Sequence, residues 1–356
     1  VKALDFFCGA GGLTRGLMDS GIQVVAGIDA DLSCRETYVR NNCGATFIHE
    51  DIGTFDAAKI NELLGKFDPD DLLIAGCAPC QPFSNQRKVK QVDADNRRRR
   101  KADSRLLGEL ARIIGLVRPA HVLVENVPGL TKVPGFSTYR RFVRLLRTNG
   151  YEVDEGVLDA KHFGVPQSRR RFVLMASRTK SISLPQDTHG PGLLPYVTVR
   201  ESISHLPPLE AGTGSTIIPN HVAAFLSPLN IERLQSTPKD GGDRRAWKEK
   251  LVLECHKKEY EGHTDVYGRM FWDRPAPTLT SKCNSLSNGR YGHPEQNRAI
   301  TLREAASLQT FSDAYVFHGF DRQIARQIGN AVPVAFACAL GKSLQNAPLK
   351  LLARNR

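Results

Sequence analysis

Cys80 sits between two prolines in Ala78-Pro79-Cys80-Gln81-Pro82, directly after the apolar run Leu72-Leu73-Ile74-Ala75-Gly76. That arrangement delivers one thiol from a buried strand to the edge of a sheet, where its thiolate can act as a nucleophile. Upstream, Phe7-Cys8-Gly9-Ala10-Gly11-Gly12 is a glycine-rich turn of the kind that lets backbone approach a ligand closely. Downstream, Glu125-Asn126-Val127 offers a carboxylate for acid–base work. Gln167-Ser168-Arg169-Arg170-Arg171 offers guanidinium groups that can offset developing negative charge. Each set also has a blander reading: a core cysteine, a capping carboxylate, surface arginines. Chance explains each alone far better than it explains all of them in this order.

The elements that must position these residues alternate. Strands are expected at Ala3 to Phe7, Val24 to Ile28, Thr46 to Ile48, Asp71 to Ala75, His121 to Val124, Tyr151 to Leu158 and Phe172 to Ala176. Helical spacing lies between them: Leu13, Leu17 and Met18, then Tyr38 and Val39, then Leu106 through Val117, then Phe142, Leu145 and Leu146. Strands alternating with helices imply a mostly parallel sheet covered on both faces, an α/β class. Ligands in such sheets bind beyond the carboxyl ends of the strands, and every set named above falls there. Asp29 and Asp51 close the second and third strands, where carboxylates could accept a ribose hydroxyl and an adenine amino group. Each could equally be a cap or turn aspartate. The full Gly-x-Gly-x-x-Gly spacing is absent, so the pattern describes a nucleoside pocket without a phosphate binder.

The rhythm stops after residue 177. Residues 178–272 are rich in Pro, Gly, Ser and charge, and read as a small irregular second domain with a modest core of Phe225, Leu226, Leu229, Ile231, Leu234 and Trp247. Helical spacing returns near Arg303-Glu304-Ala305-Ala306, and Gln323 to Leu344 is apolar enough to pack back on the first domain. Residues 84–102 carry Arg87, Lys88, Lys90, Arg97 to Arg100 and Lys101 without a core pattern, which suits a mobile lid over a phosphate backbone.

The 356 residues carry 49 Lys and Arg against 37 Asp and Glu, a net charge of +12 that suits a polyanionic partner. No uninterrupted apolar run reaches the ~20 residues needed to span a bilayer. The segment beginning at Val1 does not read as a signal peptide, so a cytoplasmic protein is expected. Cys77 and Cys80 form one C-x-x-C, but zinc would need a second pair or two spaced histidines. A redox pair would need both thiols at a helix start, and here a strand precedes them.

With these residues in view, the chain resembles the DNA cytosine-5 methyltransferase family, of the prokaryotic restriction-modification type. The likeness rests on Phe7-x-Gly9-x-Gly11, Pro79-Cys80-Gln81, Asp103-Ser104-Arg105, Glu125-Asn126-Val127, Gln167-x-Arg169-x-Arg171, Arg303-Glu304-Ala305-Ala306 and Gly329-Asn330-Ala331-Val332-Pro333. It covers about 1–176 and 273–345. Ala78 stands where the family often has proline, and Asp29 where glutamate is frequent; neither change removes a reactive group. The resemblance implies a Rossmann-like catalytic domain over 1–177 and 273–356 that binds S-adenosylmethionine, with 178–272 as the target-recognition domain. Cofactor contacts would come from Phe7, Gly9, Ala10, Gly11, Asp29, Asp51, Ile52, Gly76, Asn330 and Val332.

It further implies covalent catalysis. The Cys80 thiolate would add to carbon 6 of a flipped-out cytosine, Glu125 would hold ring nitrogen 3 and the amine, and Arg169 and Arg171 would hold the O2 side. Pro79 and Gln81 would flank the nucleophile, with Gln81 and Ser84 near the vacated space. The implied partner is double-stranded DNA, read by candidates Arg244, Arg245, Lys257, Lys258, Tyr267 and Arg269. A monomer, with any cognate restriction endonuclease acting separately, is the expected assembly; no metal and no membrane are expected. Two alternatives stay open: the RNA-modifying branch of the same fold, whose Cys-Phe-Thr signature is missing, and a catalytically dead scaffold.

Overall fold

The computed structural model describes residues 1–65, 67–78, 94–132, 137–257 and 265–350. Pro79, Cys80, Gln81 and residues 84–93 of the expected lid therefore lie outside the described residues. The rest packs as two units, Val1–Asp159 with Arg170–Gln186 and Phe336–Arg356, and Ala160–Arg169 with Asp187–Ala335.

The first unit is built on a seven-stranded sheet. Its strands are β1 (Lys2–Phe6), β2 (Gln23–Asp29), β3 (Thr46–His49), β4 (Leu72–Gly76), β5 (His121–Asn126), β6 (Glu152–Asp159) and β7 (Arg170–Ser177), in spatial order β3-β2-β1-β4-β5-β7-β6. The first five pair in parallel, whereas β7 runs antiparallel to both β5 and β6. Four helices cross between the parallel strands: α1 (Gly12–Asp19), α2 (Arg35–Asn41), α3 (Ala57–Leu64) and α4 (Ala94–Val117); α5 (Ser137–Thr148) follows β5. The chain leaves β1 toward β2 on one side and returns to β4 on the other. This reversal opens a crevice beyond the carboxyl ends of β1 and β4, because right-handed crossovers in opposite directions put their helices on opposite faces.

The continuous apolar runs read as buried strands because they are buried. Leu4, Phe6, Leu73, Ile74, Val122 and Leu174 have essentially no exposed surface. Leu107, Leu110, Ile113 and Ile114 of α4 and Phe142 and Leu146 of α5 join them in one core cluster. Two sequence expectations change here. The helix expected from Leu106 begins at Ala94, so residues 94–102 are helical turns and not loop. The last helix, α10 (Val334–Asn346), packs its later turns in the first unit, where any side chain on Gly341 would collide with Ser20.

The second unit has little regular structure: α6 (Val199–Ile203), α7 (Pro228–Gln235), α8 (Leu302–Leu308), α9 (Asp321–Asn330) and single β-bridges. Its core contains Leu226, Leu234, Trp247, Leu251, Val266, Tyr267, Leu286 and Ala299. Phe225 and Leu229, expected inside, are exposed. Without strand ladders, buried carbonyls need other donors. Arginines supply them: Arg169, Arg269, Arg298 and Arg303 are the largest fully buried side chains. The unit extends to Ala335, well past the residue 272 expected from composition.

Candidate active site

The glycine-rich turn leaves β1 in a conformation that L-residues avoid. Phe7 has φ 62°, Gly9 φ 52° and Gly11 φ 87°. A bulky aromatic in the left-handed region is rare and costs of order 1–3 kcal/mol, which the surrounding bonds must offset. They do so through Phe7 N–H donating to the Ile28 carbonyl at 2.8 Å and Gly9 N–H donating to Asp29 Oδ2 at 2.8 Å. Asp29 Oδ1 accepts Asp31 N–H at 2.7 Å, so the carboxylate splints the turn with both oxygens. A Cβ on Gly9 would meet nothing within 4 Å, so the turn faces open space.

Next to the turn lies a buried acid that sequence reading passed over. Asp5 is fully buried; its Oδ2 accepts Thr14 Oγ1 at 2.7 Å, and its Oδ1 has no hydrogen-bond partner among the described residues. Burial, with the Asp29 charge adding to it, pushes its carboxyl up to about 7. Asp51 is half exposed; it accepts Gly53 N–H at 2.7 Å and lies 3.6 Å from Arg105. Ile52 belongs to the core cluster, and its carbonyl is held by Arg112 at 3.1 Å. Gly76 closes β4 where a Cβ would press on Leu110 at 3.3 Å.

Glu125 stands one strand further along. In the β5–β7 ladder it lies opposite Val173, so Arg171, two residues from Val173, is its diagonal neighbour on the same face. The Arg171 Nε forms an ion pair with Glu125 Oε1 at 3.0 Å, with both groups largely buried. Asn126 Nδ2 donates to the Ala78 carbonyl at 3.0 Å. That bond pins the chain two residues before Cys80 to the residue that follows Glu125.

The comparisons with known proteins fit this arrangement. The family model for C-5 cytosine-specific DNA methylases matches residues 1–346. The chain belongs to this family. The methylase is 40% identical over 348 residues to the Type II methylase M.HgiDII of Herpetosiphon aurantiacus, covering 96% of this chain and 94% of that one. It is 31% identical over 342 residues to the Type II methyltransferase M1.HphI of Haemophilus parahaemolyticus, with 96% and 86% covered. Among solved structures it is similar to a prophage-encoded DNA modification methyltransferase from Escherichia coli. The TM-score is 0.73 at 22% identity, covering 98% of this chain and 99% of that one, a likeness of fold. The chain is thus a DNA cytosine-5 methyltransferase of the prokaryotic restriction-modification type.

Within this methylase the arginine motif divides its work. Arg171 pairs with Glu125, but Arg169, two residues away, lies in the second unit and is 2% exposed. Its Nη1 donates to the Leu279 carbonyl at 3.0 Å, and its Nη2 to the carbonyls of Gly329 at 3.1 Å and Ala331 at 2.9 Å. Gln167 bonds Gln309 at 2.8 Å and accepts Leu279 N–H at 2.9 Å. Arg169 directly, and Gln167 through Gln309 Nε2, which donates to the Ile328 and Ala331 carbonyls, brace the Gly329-Asn330-Ala331-Val332 segment, on which Asn330 is exposed and Val332 buried. Arg169 is in this way a clamp on backbone carbonyls, a correction to the expectation that it holds a substrate oxygen.

Two expected base readers also fall inside the second unit. Arg269 donates to the carbonyls of Thr237, Leu234, His293 and Gln296, and Tyr267 packs against Trp247 with ring centroids 5.6 Å apart. Arg244, Arg245 and Lys257 remain at least partly exposed, although Arg245 pairs with Asp243 at 2.7 Å. Lys258 lies outside the described residues.

Proposed function

We propose that this methyltransferase moves a methyl group from S-adenosylmethionine to carbon 5 of a cytosine flipped out of duplex DNA, at a short specific sequence, through a covalent bond to Cys80. The observation that carries the reading is the buried Arg171–Glu125 pair at 3.0 Å, on the residue next to the Asn126–Ala78 bond that anchors the approach to Cys80. S-adenosylmethionine, when bound, supplies an electrophilic methyl group on a sulfonium. The turn suits such a group: Gly9 faces open space, Asp29 and Asp51 stand at the end of β2 and just past β3 as the acceptors for ribose and adenine, and no phosphate cradle is needed.

Carbon 5 of cytosine is too weak a nucleophile to attack that methyl group unaided. Addition of the Cys80 thiolate at carbon 6 makes it enamine-like. Glu125 holds nitrogen 3 and the exocyclic amine and protonates the ring as the thiolate adds. Arg171 fixes Glu125 and offsets charge on the O2 side. Loss of the carbon 5 proton then expels Cys80 and releases 5-methylcytosine. A stacked base hides its carbon 5, so flipping is required. Residues 178–272 supply the base-reading surface, and the protein acts as a monomer with any partner nuclease separate.

Incubating the protein with S-adenosylmethionine and unmethylated plasmid, then sequencing after bisulfite conversion, tests the reading. Cytosines protected in one recurring context by the wild-type protein, and by none of the Cys80→Ala protein, are expected. Tight cofactor binding with no protected cytosine would sink it and turn attention to RNA.

A further inference from the structure

Arg105 closes the Asp103-Ser104-Arg105 motif, which the chemistry above does not use. It lies on α4, and its Nη2 stands 3.6 Å from Asp51 Oδ1. The same oxygen accepts the Gly53 N–H at 2.7 Å. The three residues meet so closely that a Cβ on Gly53 would come within 2.9 Å of both Arg105 Nη2 and Asp51 Oδ1. About two helical turns further along α4, on the same face, Arg112 Nη2 donates to the carbonyls of Ile52 at 3.1 Å and Phe55 at 2.7 Å. Leu107 and Leu110, between the two arginines, share one core cluster with Ile52 and Phe55. A single helix thus holds the short turn Ile52–Thr54 by its backbone at one end and by the Asp51 side chain at the other.

We propose that Arg105 is a positioning residue for cofactor discrimination: with the Gly53 N–H it fixes Asp51 Oδ1, so that Asp51 offers Oδ2 to the exocyclic amine of adenine. A carboxylate held in one orientation accepts from an amine and repels a carbonyl oxygen in the same place, so its aim decides which purine is admitted. The two arms of α4 differ in kind. Arg112 bonds backbone carbonyls and shapes the whole turn, whereas Arg105 acts on one carboxylate. More than half of each side chain in the Arg105–Asp51 pair is exposed, so the contact adds little to the stability of the free protein. A purine seated against it excludes water and strengthens the attraction, which places the benefit in the bound state. The proposal rests on Asp51 meeting the adenine of S-adenosylmethionine, as in the function proposed above.

Calorimetric titration with two ligands tests this without turnover: S-adenosylhomocysteine, and S-inosylhomocysteine, in which a carbonyl oxygen replaces the amine. The wild-type protein should bind the first much more tightly than the second. Arg105→Ala should cut that ratio roughly fivefold, by weakening only S-adenosylhomocysteine, and Arg105→Lys should recover part of it. Asp51→Ala should abolish the preference, and adding Arg105→Ala to it should change nothing further. Arg112→Ala, the control for a general loosening of the turn, should weaken both ligands alike. A loss with Arg105→Ala that is equal for both ligands, or absent for both, or that persists on top of Asp51→Ala, overturns the positioning role. A second measurement uses the free protein: amide exchange at Gly53 and Thr54, whose N–H groups bond Asp51 Oδ1 and the Asp51 carbonyl, should speed up roughly threefold in Arg105→Ala. Unchanged exchange at Gly53 overturns the contact whatever the ligands do. If the wild-type protein binds neither ligand, the cofactor reading itself fails and takes the proposal with it. If it binds with the expected preference and Arg105→Ala matches it, the proposal alone is lost.

Discussion

Asp5 sets the conflict at the scale of single residues. A carboxyl sealed beside the cofactor turn, with one oxygen bonded to Thr14 and the other unsatisfied, favours its neutral form. Its folded value of about 7 lies above the 3.8 of an exposed aspartate. Between those values the folded state binds more protons than the unfolded state. The stability Asp5 confers is therefore fully present below about pH 4 and is lost as pH rises through about 7. Asp5→Asn cannot ionise, so its stability should depend less on pH. Chemical denaturation at about pH 5 and about pH 9 should show a wild-type loss larger than the variant's by ~2–3 kcal/mol. Equal losses in the two proteins would mean that Asp5 is ionised throughout.

At the scale of elements, the second unit depends on caps and buried pairs more than on ladders. Helix α8 starts with a capping box in which Thr301 Oγ1 accepts Glu304 N–H at 3.0 Å and Glu304 accepts Thr301 N–H at 2.7 Å. The same carboxylate takes both terminal nitrogens of the buried Arg298 at 2.7 Å. Removing it strands a guanidinium in the core, which costs about 3–5 kcal/mol, against about 1 kcal/mol for losing the threonine cap. Both tryptophans, Trp247 and Trp272, belong to this unit, so fluorescence in urea reports it alone. Glu304→Ala should lower its midpoint several times further than Thr301→Ala; equal shifts would reduce Glu304 to a cap. This reliance also explains what the sequence could and could not reveal. All seven strands were legible, and the central ones plainly so, because apolar runs such as Leu72 to Gly76 signal burial without help from partners. The first turns of α4 were hidden by Arg97 to Lys101, whose charge resembles a loop. Arg169 and Arg269 were misread because a buried arginine is defined by carbonyls far away in sequence, and no local pattern announces them. Glu125 and Arg171 were legible as a motif, but their pairing needed the antiparallel register of β7.

For the whole molecule, acidification acts on both units, most strongly through His121 in the first and His293 in the second. His121 starts β5 almost fully buried and shares a bond with Ser177 at 3.0 Å. His293 is equally buried, and its Nδ1 accepts the N–H groups of Glu295 and Gln296 at 3.1 and 3.0 Å, so that nitrogen has no room for a proton. Burial pulls each from 6.5 to about 4. In that window the unfolded chain binds protons that the folded chain refuses, so stability falls as pH drops from about 6.5 toward about 4, by up to ~3 kcal/mol per histidine. Each proton also adds to a chain already at +12, and self-repulsion then works in the same direction. The two histidines lie in separate units, so their effects should be separable. Tryptophan fluorescence, confined to the second unit, should lose its steep acid dependence in His293→Gln and keep it in His121→Gln. Far-ultraviolet circular dichroism, dominated by the sheet and long helices of the first unit, should show the reverse. If each variant flattens both signals equally, the units unfold as one cooperative body and the acid limb belongs to the molecule as a whole.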